Sequence, residues 1–286
     1  MERIAIIGLG LMGGSLGLAL KKNRAPYVIT ASSRSPHNRQ LALQRGAVDR
    51  AFERPFDAAR DASLVVVCTP VISIPSMVEL IRPALKPGAI ITDVGSTKAW
   101  LMDEVPKLLK NSDAIFIGSH PICGGEQSGM DAARDDLYEG AMVVVTPPKK
   151  VDEDLLSTIS NLWKFVGANF QSLEAAEHDR IVARTSHLPH LAATLLSTTV
   201  GRSATENMAG FCGSGFRDTT RVAAGDAEMW HDILKTNRES VREELVAYRA
   251  QLERMIGLLD HRDFDGIRRL LDEGKAARAA LLAGPT

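Results

Sequence analysis

The sequence has little of what marks several classes of protein. Three cysteines, none in a C-x-x-C pair, argue against a disulfide framework or a zinc site and favour a reducing compartment. The 34 basic and 35 acidic residues give a formal net charge of −1, so no bulk electrostatic affinity for nucleic acid or anionic lipid is expected. No apolar run approaches the ~20 residues of a membrane span, and no secretory leader pattern follows Met1. These absences predict a soluble, cytoplasmic protein that binds no metal, nucleic acid or membrane.

The first 173 residues show a regular alternation of two patterns. Short runs rich in β-branched residues are separated by amphipathic, helix-period stretches. The runs are nearly continuous in apolar residues, as in strands that are covered on both faces of a parallel sheet. This strand–helix–strand alternation predicts a doubly wound α/β sheet. The predicted strands lie at 3–8, 27–32, 63–70, 88–95, 114–121, 141–148 and 168–173.

Strand-like runs end near residue 173, and helical patterns cover the rest of the chain. They span 174–202, roughly 217–235, 237–260 and 263–281. We therefore predict an α/β domain over 1–173 and an all-α domain over 174–286. A helical domain of about 110 residues has too little volume to bury such long amphipathic stripes by itself, so we expect it to form a homodimer.

A glycine pattern follows the first predicted strand. Gly8, Gly10 and Gly13 form G-x-G-x-x-G between that strand and a predicted helix, the context that a dinucleotide site of Rossmann type requires. Gly8 would permit the tight turn, Gly10 the approach of a pyrophosphate, and Gly13 the close packing of helix on strand. The first helical residues, Leu11 and Met12, would offer free backbone N–H groups to the phosphates. The pattern predicts a domain that binds NAD or NADP.

The end of the second predicted strand bears on which dinucleotide is bound. A site for NAD is expected to have an acidic residue there, bonded to the ribose 2′-hydroxyl, but this strand ends in TASSRSPHNR. Ser32, Ser33 and Arg34 instead offer hydroxyl groups and a guanidinium, which suit a 2′-phosphate. The alternative is a solvated turn with an incidental arginine. The missing acid favours NADP, with NAD left open.

Three further stretches follow the carboxyl ends of predicted strands, where open α/β sheets bind their ligands. One begins with Thr69 and Pro70, which we expect to contact the dinucleotide, and another is 93–98. The third, GSHPICGGEQSG at 118–129, is too rich in glycine for a regular helix and holds His120 directly before a proline. We predict that this loop presents His120 where a nicotinamide ring would lie, a purely structural histidine being the alternative.

Several stretches together resemble one family. GLGLMGGSLG, DVGSTK, GSHPICGGEQSG, HDRIVARTSHLPH and GFRDTTRVAAGDAEMWHDI are similar to the prephenate/arogenate dehydrogenases of tyrosine biosynthesis, over roughly residues 3 to 260. The resemblance implies an α/β Rossmann-type sheet followed by an all-α dimerisation domain. It also implies oxidative decarboxylation of prephenate to 4-hydroxyphenylpyruvate with hydride transfer to NAD(P)⁺. Arogenate as the substrate, or both compounds, are the alternatives.

The resemblance carries functional roles onto matching residues. His120 takes the place of the catalytic histidine, a general base for the ring hydroxyl, and Ser96 is expected to hydrogen-bond to it. His190 is implied as a residue of the substrate pocket that reaches the side-chain carboxylate, with His187 supporting it. Arg221 is implied as the residue that binds the ring carboxylate.

Four more residues have open roles. Arg217 lies four before Arg221, so one helical face should carry both, and it could bind substrate or pair with an acid or another subunit. Trp230 could wall the pocket or belong to the core. Asp131 could meet the ammonium of arogenate or begin a helix. Gly125 departs from the family, where serine or threonine is common, so one hydrogen bond is in doubt.

Two rival functions remain to be weighed against this one. A β-hydroxyacid dehydrogenase would also have the glycine pattern, but it needs a lysine early on the interdomain helix, and 174–202 contains none. A catalytically silent dinucleotide-binding sensor would not need His120, Ser96, His190 and Arg221 together. We therefore predict an active dehydrogenase.

Overall fold

The first layer of the molecule is a six-stranded parallel sheet. The computed structural model describes residues 2–125, 127–202 and 208–283. The strand order is β3-β2-β1-β4-β5-β6, which confirms the predicted Rossmann-type architecture. The strands are β1 (Glu2–Ile7), β2 (Tyr27–Ser32), β3 (Arg50–Phe52), β4 (Leu64–Val67), β5 (Ile90–Asp93) and β6 (Ile115–Phe116).

Helices cover both faces of this sheet, because its central strands are apolar on both sides. Alternate residues of β1 and β4 enter two separate buried clusters, one on each face. The covering helices are α1 (Leu11–Lys22), α2 (Pro36–Gln44), α3 (Pro55–Ala59), α4 (Ile74–Ile81), α5 (Ala99–Leu108) and α6 (Glu153–Phe165).

A second, three-stranded sheet was not predicted from the sequence. The stretch 114–121 was expected to be one strand, but the chain leaves the large sheet after β6 and forms β7 (Gly118–Pro121). Ile117 N still bonds to Ile91 O, whereas Ser119 N donates to the Asp93 carboxylate at 3.0 Å, and this side-chain acceptor ends the ladder. β7 then pairs antiparallel with β8 (Met142–Thr146), and β8 pairs parallel with β9 (Asn169–Ser172).

Of the helical segments predicted after β9, those over 174–202, 237–260 and 263–281 nearly keep their bounds, and the one over 217–235 is divided. α7 (Ala175–Val182) passes through a π-helical turn at 183–187 into α8 (Leu188–Arg202). The helix expected over 217–235 is divided into α9 (Ser214–Thr220), a 3₁₀ turn at 221–224, and α10 (Ala227–Thr236). The division has a local cause, since Gly225 follows the turn and Asp226 begins a new helix by accepting a hydrogen bond from Met229 N at 2.8 Å.

The described chain separates into two compact units, which divide after Arg238. The second unit contains α11 (Arg238–Asp260) and α12 (Phe264–Leu282), joined by a bidentate ion pair from Arg254 to Glu273 at 2.9 and 3.2 Å. None of the helices in the described ranges is both long and apolar enough to cross a membrane. The domain boundary near residue 173 stays a prediction. Apolar side chains that these two helices expose are Val246, Leu252, Ile256, Leu259, Phe264, Leu271, Leu281 and Leu282.

Two glycines of the first turn should respond differently to alanine. A Cβ at Gly13 would lie 1.9 Å from Gly8 O, whereas a Cβ at Gly10 would have no described atom within 4 Å. Crowding a packed site typically costs ~1–3 kcal/mol, so Gly13→Ala should lower the free energy of unfolding by about 3 kcal/mol. Gly10→Ala should lower it by less than about 1 kcal/mol, the scale of a lost helix cap. Equal urea midpoints for the two variants would contradict this packing analysis.

Candidate active site

The turn between β1 and α1 is held in a shape that only glycine fits. Gly8 has φ +112°, and a Cβ there would lie 2.7 Å from Cys68 O. Gly13 is buried where the helix crosses the strand, so the predicted reasons for both glycines agree with the geometry. The backbone at the carboxyl end of β1 is therefore exposed to a ligand at close range.

The N-terminus of α1 fits an anion. Gly10 is the N-cap, no side chain in the described segments caps this end, and the first turn holds no acidic residue. The first amide that bonds back along the helix is Gly14 N, to Gly10 O at 2.9 Å, so Leu11, Met12 and Gly13 keep their N–H groups for a ligand. With open space at Gly10, this end of the helix fits the pyrophosphate of a dinucleotide.

The segment after β2 is fastened by a residue that sequence reasoning missed. Arg39 Nη1 donates to Ser33 O at 2.6 Å and to Arg34 O at 3.1 Å, so one guanidinium holds the loop. Arg34 is exposed, whereas Ser32 is buried at the end of β2 and its carbonyl accepts from Gly8 N at 3.0 Å. Ser32 therefore supports the glycine turn through its backbone, and Arg34 and Ser33 are the accessible side chains. No sequence signal distinguished Arg39 from an ordinary helix-surface arginine.

Two other loops border the nucleotide cradle, which is the surface formed by the glycine turn at 8–13, the N-terminus of α1 and the segment after β2. Thr69, which follows β4, lies against the glycine turn, with Cγ2 3.2 Å from the position of a Cβ at Gly8, and Pro70 beside it is exposed. Gly125 lies over the first residue of α1, because a Cβ there would be 3.7 Å from Leu11 Cδ2. The segment that carries His120 therefore continues directly onto the nucleotide cradle.

His120 lies on β7, within the stretch 114–121 that was predicted as a strand and just before the glycine-rich loop. It is opposite Val144 of β8 and is partly exposed. Its Nδ1 is 2.8 Å from Nε2 of His178 on α7, and the two rings meet edge to face with 5.0 Å between centroids. His178 had no assigned role from the sequence, and its signal was an adjacent carboxylate within the HDR stretch. The structure thus joins a histidine of the α/β half to one of the helical half.

Asp179 continues this contact into the end of another helix. Its Oδ1 is 2.8 Å from His178 Nδ1. The same carboxylate accepts hydrogen bonds from Lys98 N at 2.8 Å and Ala99 N at 2.9 Å, which are free amides at the N-terminus of α5. A carboxylate from α7 therefore caps α5, and that cap fixes His178 in front of His120.

A buried ion pair lies directly beneath this arrangement. The Asp93 carboxylate accepts a hydrogen bond from Lys98 Nζ, and neither side chain is exposed to solvent. Burial lowers the pKa of Lys98, against the opposing effect of Asp93. Asp93 also accepts from Gly95 N at 2.8 Å and from Ser119 N at 3.0 Å, next to His120. The ion pair thereby holds β7 against the end of β5.

The structure places His178 where the sequence predicted Ser96. Within the part of the chain that is described, Ser96 makes no hydrogen bond to His120, and it stays partly exposed in the turn after β5. The neighbouring residue Thr97 instead bonds to Thr236 Oγ1 at 2.8 Å, which ties this turn to α10. Ser96 remains at the rim of the site.

A second cluster, formed by His187, His190 and Trp230, is linked to Asp179 through the side-chain amide of Asn237. Asn237 Nδ2 donates to Asp179 O at 2.8 Å and to His187 Nδ1 at 3.3 Å. His190 stacks on Trp230 at 3.5 Å between ring centroids, with 12° between planes, and His187 meets the same indole edge to face at 5.8 Å. Trp230 therefore packs against these two histidines and is not part of the two buried apolar clusters of the described residues.

His190 and its surroundings leave a polar atom available. Its Nδ1 is buried and has no hydrogen-bond partner among the residues that the structure describes, an arrangement that is costly unless a ligand or water supplies one. Gly225 leaves space for the stack, since a Cβ there would be 2.7 Å from Trp230 Nε1. The predicted assignment of His190 to a pocket has this geometry in its favour.

Three histidines of this site, His120, His187 and His190, have pKa values lowered by burial. Burial is the largest cause that holds the pKa of His120 well below 6.5, and His178, Lys98 and His187 act in the same direction. Burial likewise lowers the pKa of His187 to about 4 and lowers that of His190. Neutral imidazoles accept protons and hydrogen bonds, so the site can act as a base.

The two predicted arginines lie on consecutive elements. Arg217 belongs to α9, which ends at Thr220, and Arg221 begins the 3₁₀ turn that follows, so a shared face for Arg217 and Arg221 stays a prediction. Both are exposed, and Arg217 Nε donates to Cys212 O at 3.1 Å. Arg221 precedes Gly225 by four residues, at the entrance to the turn that leads to Trp230.

Asp131 lies elsewhere than the sequence analysis suggested. Its carboxylate is 3.1 Å from Nε2 of His37 at the start of α2, and both side chains are largely exposed. No helix begins at Asp131. Its partner is thus part of the segment after β2, not of the histidine cluster. The described ranges contain no group of three or more His, Cys, Asp or Glu residues placed to hold a metal ion.

Comparison with known proteins agrees with this arrangement. Family models described as the nucleotide-binding and dimerization domains of prephenate dehydrogenase match residues 16–172 and 174–273. The chain is 32% identical over 285 residues to the prephenate dehydrogenase of Bacillus subtilis, covering 98% of this chain and 76% of that one. It is 33% identical to the cyclohexadienyl dehydrogenase of Zymomonas mobilis, over 98% and 96% of the two chains.

A solved structure extends the similarity to three dimensions. Prephenate dehydrogenase from A. aeolicus, in complex with hydroxyphenyl propionate and NAD⁺, superposes with a TM-score of 0.91 at 29% identity over 98% of each chain. The matched regions contain the histidine cluster and most of the nucleotide-binding half. With two family models spanning both halves and relatives above 30% identity over nearly its whole length, the chain belongs to the prephenate dehydrogenase family of oxidoreductases.

Proposed function

We propose that this chain oxidatively decarboxylates prephenate to 4-hydroxyphenylpyruvate, with a nicotinamide dinucleotide as hydride acceptor. The observation that carries the proposal is His120, a histidine kept neutral by burial on a strand whose following loop lies over the nucleotide cradle. A neutral base next to a hydride acceptor is what oxidation of a ring alcohol requires. Similarity to relatives that are named prephenate dehydrogenase and cyclohexadienyl dehydrogenase supports the proposal.

His120 would accept the hydroxyl proton at Nε2 while its Nδ1 stays bonded to His178. The bound nicotinamide supplies an acceptor for the hydride that leaves the same carbon. The electron pair of the bond to the ring carboxylate then enters the ring, which becomes aromatic, and CO₂ departs. The phenolate oxygen recovers its proton from His120. The protein thus handles one proton at one nitrogen.

We assign the remaining substrate groups to the second cluster and its entrance. Arg221 would bind the ring carboxylate through its planar guanidinium, with Arg217 as the next candidate. His190 stays the candidate that reaches the side-chain carboxylate, with Trp230 as the wall behind it. Asp131 was the candidate for an ammonium group, and its contact with His37 gives that role no support, so we place prephenate ahead of arogenate.

Two further features belong to the proposal. The accessible Arg34 and Ser33, and the absence of an acid at the end of β2, favour NADP over NAD. The exposed apolar side chains of α11 and α12, with the dimerization-domain match over 174–273, favour a homodimer through the helical half.

A direct assay tests this function. Dinucleotide reduction should be seen with prephenate and NADP⁺, and the four pairings of prephenate or arogenate with NAD⁺ or NADP⁺ rank the substrates and cofactors. His120→Asn should lower kcat about a hundredfold or more, because a positioned general base contributes roughly 10²–10⁴-fold. Cofactor affinity should hold in this variant. Cofactor binding with no turnover in any pairing would show a silent binder instead.

The pH profile tests the state of the base. The proton acceptor works only when it is neutral, so kcat/KM for prephenate falls where His120 becomes protonated. Because burial places the pKa of this group below its ordinary 6.5, the acid limb should lie below pH 6.5 and activity should be level from there to neutrality. If kcat/KM instead fell with a midpoint above pH 6.5, His120 would be protonated in the free enzyme at pH values where we expect it to be neutral.

Arg221 can be tested against its neighbour. Removing one partner of a desolvated charge pair costs ~2–5 kcal/mol, so Arg221→Ala should raise the KM for prephenate about thirtyfold or more. The Kd for the dinucleotide should stay near that of the parent. Arg217→Ala is the matched control, since it removes the same charge four residues away and should change KM little. The reverse ranking would assign the carboxylate to Arg217.

A further inference from the structure

The contacts of His120 form a directed chain of hydrogen bonds. Asp179 Oδ1 lies 2.8 Å from His178 Nδ1, and His178 Nε2 lies 2.8 Å from His120 Nδ1. Asp179 and His178 are almost fully buried, at 2% and 1% exposure. His178 has one partner on either side, so the position of its proton decides the position of the proton on His120.

The Asp179 carboxylate determines which group donates and which accepts in each of these hydrogen bonds. An ionised carboxylate only accepts hydrogen bonds, and Asp179 already accepts two from the amides of Lys98 and Ala99. His178 must therefore carry its proton on Nδ1 and donate it to Asp179. A neutral imidazole with a proton on Nδ1 has a bare Nε2, which accepts. His120 must then donate from its own Nδ1, which leaves its Nε2 without a proton.

We propose that His178, held by Asp179, is the positioning residue that fixes His120 in the tautomer with Nδ1 protonated and Nε2 free to accept a proton. The proposal rests on the proposed function only for the identity of the hydroxyl group that His120 deprotonates. His178 touches neither substrate nor cofactor in this role. It acts through His120 alone.

The opposite direction of the chain would disable the base. If His178 were protonated on both nitrogens, it would donate to His120 Nδ1, and neutral His120 would carry its proton on Nε2, facing the substrate. The titratable groups that face this place are Lys98 and Asp93 beneath it and His187 beside it. A second positive charge would be desolvated here, and the negative charge of Asp179 is already bonded by two backbone amides. This packing favours the direction in which His178 donates to Asp179 and accepts from His120.

The chain also accounts for the proton during turnover. When Nε2 of His120 takes the hydroxyl proton, the ring becomes a cation that still donates from Nδ1 to His178. The bond to His178 is then charge-assisted and stronger, with Asp179 behind it. No proton has to move along the chain. Return of the proton to the phenolate oxygen restores the starting tautomer.

Nitrogen-15 NMR of histidine-labelled protein reads this tautomer without any substrate. The chain has seven histidines, and His120→Asn identifies the signals of His120 by their loss. In the parent at neutral pH, His120 should show a protonated Nδ1 and an unprotonated Nε2. In His178→Leu the acceptor is gone, so His120 should shift toward protonation on Nε2 or exchange between both forms.

Activity provides the second readout. His178→Leu should lower kcat by about 10–100-fold, a part of the ~10²–10⁴-fold that a positioned base contributes, while KM and cofactor Kd stay near parent values. His178→Gln offers an amide oxygen as acceptor, so it should keep the parent tautomer and recover kcat to within about fivefold of the parent. His231→Leu is the matched control, because His231 is exposed and contacts Asp232, the next residue, as His178 contacts Asp179, so it should leave tautomer and kcat unchanged.

Several outcomes would overturn the proposal. One is a parent His120 that is protonated on Nε2, and another is His178→Leu with the tautomer and kcat of the parent. Should His178→Leu fail to fold, the parent spectrum and His178→Gln decide, and a Gln variant that folds but shows a flipped His120 counts against it. A parent with the expected tautomer but no turnover of prephenate or arogenate would overturn the proposed function and leave the positioning role intact.

Discussion

The buried ion pair between Asp93 and Lys98 is the constraint on which the rest of the site depends. Asp93 ends β5, and its carboxylate takes the amide of Ser119, which turns the chain out of the large sheet and onto β7. Lys98 neutralises that carboxylate, and its own backbone amide receives Asp179 from the helical half. Breaking a buried pair by removing one partner typically costs ~3–5 kcal/mol. This one ion pair therefore positions both β7, which carries His120, and Asp179, which holds His178.

Around that ion pair, the charged side chains of the site lie apart from the histidine that is proposed to accept a proton. The acid and the lysine lie beneath the reacting groups and are fully buried, whereas burial lowers the pKa of His120 and His187 above them. The arginines lie outside, on exposed turns. An anionic substrate would therefore meet cations at the entrance and neutral acceptors within. This order keeps the base free to take a proton while the negative groups of the substrate are held elsewhere.

The parts that could be read from the sequence were those with local causes. The glycine turn and most of the apolar strands follow from neighbouring residues and could be predicted. His178 could not, because its role depends on a contact across 58 positions of the chain. The same holds for the turn onto β7, which needs the Asp93 side chain, and for Arg39, which resembles any surface arginine. The break before α10 was readable from Gly225 and Asp226 but was outweighed by the helical period.

The contact between α7 and β7 bears on how the protein matures as it is synthesised. Chains leave the ribosome N-terminal part first, and domains fold as they emerge. The sheet and its glycine turn can form once β9 has been synthesised. His178, which accepts from His120, follows on α7. Asn237, which donates to Asp179 O, lies 58 residues after Asp179. The glycine turn is therefore complete before the partner of His120 has been synthesised. The proposed proton acceptance by His120 would then begin only after α7 has packed against β7, which would tie the onset of chemistry to a late step of folding.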